Sequence, residues 1–173
     1  MVILRKIDTI GLKLCEEQAK LFEKSVSLAN CSSPQFIKRF VHSSVVKDFD
    51  NLSIINVPFN EEDVIEVLNY EYAPTTSNNK YGENTMYWIG YIYRYWCYIY
   101  ELDNLNVYKM VKPDELKSLF YPYHTLDIEI AIERIMEVKQ IKDKMTLSYQ
   151  VELYRQIIKN RKKTIKLFND NKY

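Results

Sequence analysis

The stretch MYWIGYIYRYWCYIY, residues 86–100, packs two tryptophans, six tyrosines and one arginine into fifteen positions. Its conformation decides the fold class. As a strand it segregates nothing: both the odd and the even positions come out apolar, and fifteen residues far exceed the usual strand of about 5–6. Advanced by about 100° per residue, the same letters sort themselves. Trp88, Ile89, Ile92, Trp96 and Ile99 gather on one side, and Gly90, Arg94 and Glu101 gather opposite. Tyr87, Tyr91 and Tyr98 border that polar strip on one edge, Tyr93 and Tyr100 on the other. Despite the high β-propensity of these residues, the spacing predicts a central helix with its indoles inward and a thin outward strip holding glycine and guanidinium.

Outward from this segment, helical patterns dominate. Ile3, Ile7, Ile10, Leu14, Leu21 and Leu28 recur at mostly helical spacing, predicting a long amphipathic helix with a weak point at Gly11. Ser33-Pro34 reads as a cap followed by proline at the first helical position, with Phe36, Ile37, Phe40 and Val41 as the apolar face. Val45, Val46 and Phe49 continue it or form a short turn, and residues 50–59 read as irregular. Asn60 caps a helix through Val64, Ile65, Val67 and Leu68, with Glu61, Glu62 and Asp63 suited to its dipole. Residues 73–84 form a loop rich in Thr, Ser and Asn. Short helices are expected at 104–111 and 113–120, then the link YPYHTL, then a helix over 127–138. In 143–168, Leu147, Val151, Tyr154, Ile158, Ile165 and Phe168 make a seam interrupted by Arg161. The expected fold is all-α: an irregular multi-helix bundle around the aromatic helix, with a helical core at 1–138 and a long basic C-terminal helix within 139–173.

Composition agrees. Three glycines and five prolines in 173 residues are too few for the turns of a sandwich or barrel. The net charge of +1 hides an asymmetry: residues 139–173 carry ten Lys or Arg against three acids, while the preceding residues carry fourteen against twenty. An acidic body with a basic tail suits self-attraction, an acidic partner or nucleic acid. Cys15, Cys31 and Cys97 form no metal or disulfide spacing and read as buried free thiols. Charges at positions 5, 6, 8 and 13 interrupt any signal-peptide core, and the longest apolar run contains an arginine. A cytoplasmic location is expected, with no membrane partner.

Motifs for phosphate loops, nucleophile elbows and HExxH zinc sites are missing from the sequence. His42 and His124 lack metal-ligand spacing, so no metal, no cofactor and no enzymatic activity are expected. Arg94 has two readings. It pairs with Glu101 or with an acid from another helix, or it joins Tyr87, Tyr91, Tyr93, Tyr98 and Glu101 in a contact surface, since Tyr, Trp and Arg dominate binding hot spots. Lys159, Arg161, Lys162, Lys163 and Lys166 form a basic run able to meet phosphates, which gives the alternative of a nucleic-acid-binding regulator.

The segments SSPQFIKRFVHSSVVKDFD, MYWIGYIYRYWCYIYE, VYKMVKPDELKSLFYPYHTL and DIEIAIERI together resemble a family of small bacterial antitoxins, found in clostridia and their relatives and often encoded beside a toxin similar to ADP-ribosyltransferases. The similarity spans about residues 31–138 and is most specific at MYWIGYIYRYW and PYHTLD…AIERI. It implies a protein that binds and neutralises a cognate toxin. It implies candidate positions at Tyr87, Trp88, Tyr91, Tyr93, Arg94, Tyr95 and Trp96, and at Tyr121, Tyr123, His124 and Thr125. This chain has Ile128 where the family often has proline, so Asp127 caps its helix unaided. The tail beyond 139 lies outside the pattern, and a homodimer through it is a further expectation.

Overall fold

The computed structural model describes residues 5–51, 59–75 and 77–141. These form eight α-helices and, among the described residues, no strand: α1 (Thr9–Leu28), α2 (Ser33–His42), α3 (Val45–Asp50), α4 (Glu61–Glu71), α5 (Glu83–Tyr100), α6 (Asn104–Met110), α7 (Pro113–Tyr123) and α8 (Ile128–Val138). The fold is therefore all-α, as the periodicity predicts. The seam at 143–168 and the run Lys159, Arg161, Lys162, Lys163 and Lys166 lie outside the described residues, as do Ile3 and 52–58. The chain divides into two compact units, Ile3–Ile132 and a second comprising Met1–Val2 with Glu133–Tyr173. In the second unit, α8 runs out after Val138 and Gln140 takes the left-handed conformation with φ of 52°.

The first unit is organised by α5. Trp96, Ile89, Ile92 and Tyr93 are fully buried, and Trp88 is 7% exposed. The indoles thus point inward as expected. The outward strip of Gly90 and Arg94 does not exist, and here the structure corrects the sequence reading. Gly90 is buried against α1, and Arg94 is only 2% exposed. The reason is the composition of α5 itself: a helix apolar nearly all round has to be enclosed on most of its sides. Its one arginine is neutralised from outside the helix, by Asp50 at the end of α3, with Nη1 donating to Oδ1 at 2.8 Å. Glu101 is not its partner.

Gly90 sets how closely α1 and α5 approach. A Cβ there would lie 2.7 Å from the Gln18 carbonyl oxygen and 2.9 Å from Ala19 Cα. The contact is sealed by Gln18, whose Nε2 donates to the Gly90 carbonyl at 3.2 Å and to Asn104 Oδ1 at 2.9 Å. Asn104 Nδ2 in turn donates to Asp50 Oδ1 at 3.0 Å. One chain of polar contacts therefore joins α1, α5, α6 and α3. Beside it, Phe22, Phe36, Phe40 and Phe49 pack edge to face, with centroids 5.2–5.6 Å apart, tying α1 to α2 and α3.

Helix ends follow local chemistry. α1 begins at Thr9, later than the periodicity suggests, because Asp8 accepts from the Gly11 amide at 2.8 Å. Ile10 and Leu28, expected in the core, are each 44% exposed. Gly11 is no weak point: the Tyr98 ring occupies the space its Cβ would take. Lys80 Nζ donates to the carbonyls of Ser25 and Ala29 at 3.2 and 2.9 Å, placing a cation at the C-terminal end of α1. Ser32, one residue earlier than expected, is the N-cap of α2. Asn60 caps α4 as predicted, and Lys24 of α1 bridges Glu61 and Glu62. Asp127 Oδ1 accepts from the Glu129 amide at 2.9 Å, so α8 is capped without proline. α7 extends through Tyr123, taking in part of the segment expected as a link.

Two stability predictions follow from these contacts. In an exposed helix, Gly→Ala gains about 0.5–1 kcal/mol. Gly90→Ala is expected to lose about 1–3 kcal/mol instead, because the obstructing atoms are backbone; urea denaturation should show a lower midpoint with an unchanged slope. Arg94→Met leaves Asp50 without its cation and should cost about 3 kcal/mol, with part of the loss recovered in the double variant Arg94→Met/Asp50→Asn.

Candidate functional site

Two concavities flank α5, one at each end. The first is a polar cleft of about 450 Å³ at its C-terminal end, where Arg5, Asp50, Arg94, Tyr98, Glu101 and Asp103 meet. α5 terminates there because Glu101 takes the left-handed conformation at φ 52°, letting the Leu102 amide return to the Cys97 carbonyl at 2.9 Å. The extended segment before α1 closes one side: the Arg5 amide donates to the Ile99 carbonyl at 2.8 Å, and its guanidinium lies 4.0 Å from the Tyr98 ring centroid. The Tyr98 hydroxyl donates to Asp8 at 2.7 Å. That bond, followed by the Gly11 amide, holds the Asp8 carboxyl below the ordinary range. Most polar groups around this cleft are engaged with one another. It reads as a structural joint between α1, α3, α5 and α6.

The second concavity is an open groove of about 610 Å³ between the N-terminal half of α5 and the end of α7. Its lining is aromatic: Tyr87, Trp88 and Tyr91 from α5, and Phe120, Tyr121 and His124 from the end of α7. Helical spacing builds both walls. Tyr87, Tyr91 and Tyr95 stand one turn apart with near-parallel rings, centroids 6.4 and 6.2 Å apart. Across from them, Phe120 and His124 stack at 4.6 Å, again four residues apart. Trp88 meets Phe120 edge to face at 5.9 Å, forming the floor. Tyr121 stands at the rim, 82% exposed.

The groove gathers five of the sequence candidates, Tyr87, Trp88, Tyr91, Tyr121 and His124. Arg94, Tyr98 and Glu101 fall in the other cleft. Tyr93 is in neither: it is fully buried, and its hydroxyl donates to the Val111 carbonyl at 2.7 Å. Tyr95 is likewise tied down, donating to Glu129 at 2.6 Å. Tyr123 is half-buried near the end of α7. Sequence reasoning missed Phe120, although its i, i+4 relation to His124 carried the signal. Trp88, read both as core and, through the resemblance, as a candidate position, is 7% exposed and lines the groove.

The buried thiols and phenols of α5 and its neighbour α1 hold their protons. Burial pushes the Cys97 and Cys15 thiols up to about 12, which removes them as nucleophiles at neutral pH. Burial also raises Tyr91 to about 12 and lifts Tyr93 well above the ordinary phenol range. The imidazoles of His42 and His124 each meet a carbonyl of their own helix, Lys38 at 2.7 Å and Phe120 at 3.0 Å. No helix among the described residues is long and apolar enough to cross a membrane. No protein-family model, curated protein or solved structure matches this chain.

The raised phenols give a pH prediction with a definite sign. In the unfolded chain tyrosine ionises near 10; in the fold Tyr91 holds its proton to about 12. The unfolded state therefore loses protons first, and stability falls as pH rises from about 10 through the folded values. Phenolate absorbance and loss of helical ellipticity should rise together in that window. Full phenolate formation with intact ellipticity would contradict the burial described for α5.

Proposed function

We propose that this chain is the antitoxin of a bacterial toxin–antitoxin pair and that it neutralises its toxin by direct protein–protein binding, with no chemistry of its own. The observation that carries the binding half is the aromatic groove. Tyrosine and tryptophan give large contact area at low side-chain entropy cost, and clusters of such rings around a concave floor are typical binding hot spots. The groove is open, lies on the rigid faces of two helices, and combines half-buried Tyr87 and Tyr91 with the protruding Tyr121. The resemblance over residues 31–138 supports the partner class, a toxin similar to ADP-ribosyltransferases encoded beside the antitoxin.

On this reading the groove receives side chains of the toxin, and the excess of acids over bases in residues 1–138 orients the encounter. Arg94 supports the surface from within by fixing α5 to α3 rather than by touching the partner. The test is co-expression with the neighbouring gene product and capture through a tag on this chain. Tyr121→Ala and Tyr87→Ala are expected to weaken the captured complex about tenfold or more each, while helical ellipticity is preserved. Tyr70→Ala, on the 93% exposed Tyr70 of α4, is expected to leave capture unchanged. Capture that is indifferent to both groove substitutions would remove the groove from the interface. Failure to capture at all would remove the antitoxin reading.

A further inference from the structure

Four tyrosine rings among the described residues are covered by cations. Arg5 lies 4.0 Å from the Tyr98 centroid, Lys112 3.9 Å from Tyr108, Lys117 4.6 Å from Tyr81 and Arg39 5.3 Å from Tyr72. The rings that line the groove are different. Among the described residues, no lysine or arginine is stacked on Tyr87, Trp88, Tyr91 or Tyr121. Tyr87, Tyr91 and Tyr121 thus bring cation-free rings to the groove, the 7% exposed Trp88 lines it beside them, and tryptophan is the strongest cation acceptor of the aromatic side chains.

The field around the groove has the matching sign. Burial raises Tyr87, and the carboxylates of Glu16 and Glu23 add to the effect, opposed in part by Lys20. For Tyr91 burial again dominates, with Cys15, Tyr87, Glu16 and Asp127 adding. Three carboxylates against one ammonium thus act on the two tyrosines of one wall of an aromatic concavity of about 610 Å³, enough room for one long side chain with its head group. An apolar peptide would gain from the rings and nothing from the acids. A carboxylate or phosphate would be repelled. A lysine or arginine gains from both, laying its stem on Trp88 and Phe120 and its charge between the tyrosine faces.

We propose that the groove between α5 and α7 is a cation receptor that takes a lysine or arginine side chain presented by a basic segment of the partner protein. This rests on the partner-binding reading and names the chemistry it recognises. The excess of acids over bases in residues 1–138, twenty against fourteen, points to a basic partner face as well.

The experiment compares two probes of the same shape, choline and its uncharged isostere 3,3-dimethylbutan-1-ol, titrated into the full chain and followed by tryptophan fluorescence and proton shifts of the groove aromatics. Choline is expected to bind about tenfold more tightly than the isostere. Tyr91→Phe, which keeps the ring face, should retain that preference, and Tyr91→Leu should lose it. Because Tyr91 is half-buried, Tyr121→Leu serves as a second variant at a position that does not support the fold; it should also reduce the preference. Equal binding of both probes, or binding of neither, overturns the cation receptor. If the toxin is captured while choline shows no preference, the cation inference fails and the partner reading stands. If choline binds selectively while capture fails, the partner reading fails and the protein source of the cation falls with it.

Discussion

The absence of a side chain at residue 90 is the constraint on which the arrangement of this protein depends. At that point α1 and α5 come together backbone to backbone, with no room for even a methyl group against the Gln18 carbonyl. Every other contact of α5 is measured from this one. Close approach brings Phe22 into range of the aromatic helix, and Phe22 links the pair to Phe36 and Phe40. It also brings the Gln18 amide within reach of the Gly90 carbonyl, starting the relay through Asn104 to Asp50 and Arg94. A buried guanidinium is costly unless its charge is met, and this relay meets it.

That enclosure is uneven along α5, and the unevenness produces the surface. Toward the C-terminal end the helix is wrapped by the segment before α1, by α3 and by α6, so Arg94, Cys97 and Tyr98 are buried. Toward the N-terminal end, α7 meets Trp88 through Phe120, and Tyr87 and Tyr91 stay half-covered. One helix therefore serves as core over part of its length and as the wall of a groove over the rest.

The sequence made the fold class legible because only a helix separates the indoles of residues 86–100 from the remaining positions. It made most helix boundaries legible too, because Asn60, Pro113 and Asp127 act locally. What it concealed was the sense of α5. Gly90 and Arg94 look like a polar stripe because one has no side chain and the other has a charge. The facts that reverse this reading, a close backbone neighbour and a distant aspartate, are tertiary: Asp50 lies forty-four residues from Arg94. The groove was partly legible for the same reason. Tyr87, Tyr91, Tyr121 and His124 were visible as aromatic residues, but nothing local indicated that α7 would bring Phe120 over Trp88.

The tyrosines that replace phenylalanine inside this protein carry a further meaning. The hydroxyls of Tyr93, Tyr95 and Tyr98 leave α5 in three directions, toward Val111, Glu129 and Asp8. Phenyl rings would fill the same space and tolerate rotation of the helix about its axis or a slip by one turn. With three phenols anchored to three separate segments, either movement breaks all three bonds at once. The aromatic helix is keyed as well as buried, and a single orientation is selected from the many that oily packing alone would accept.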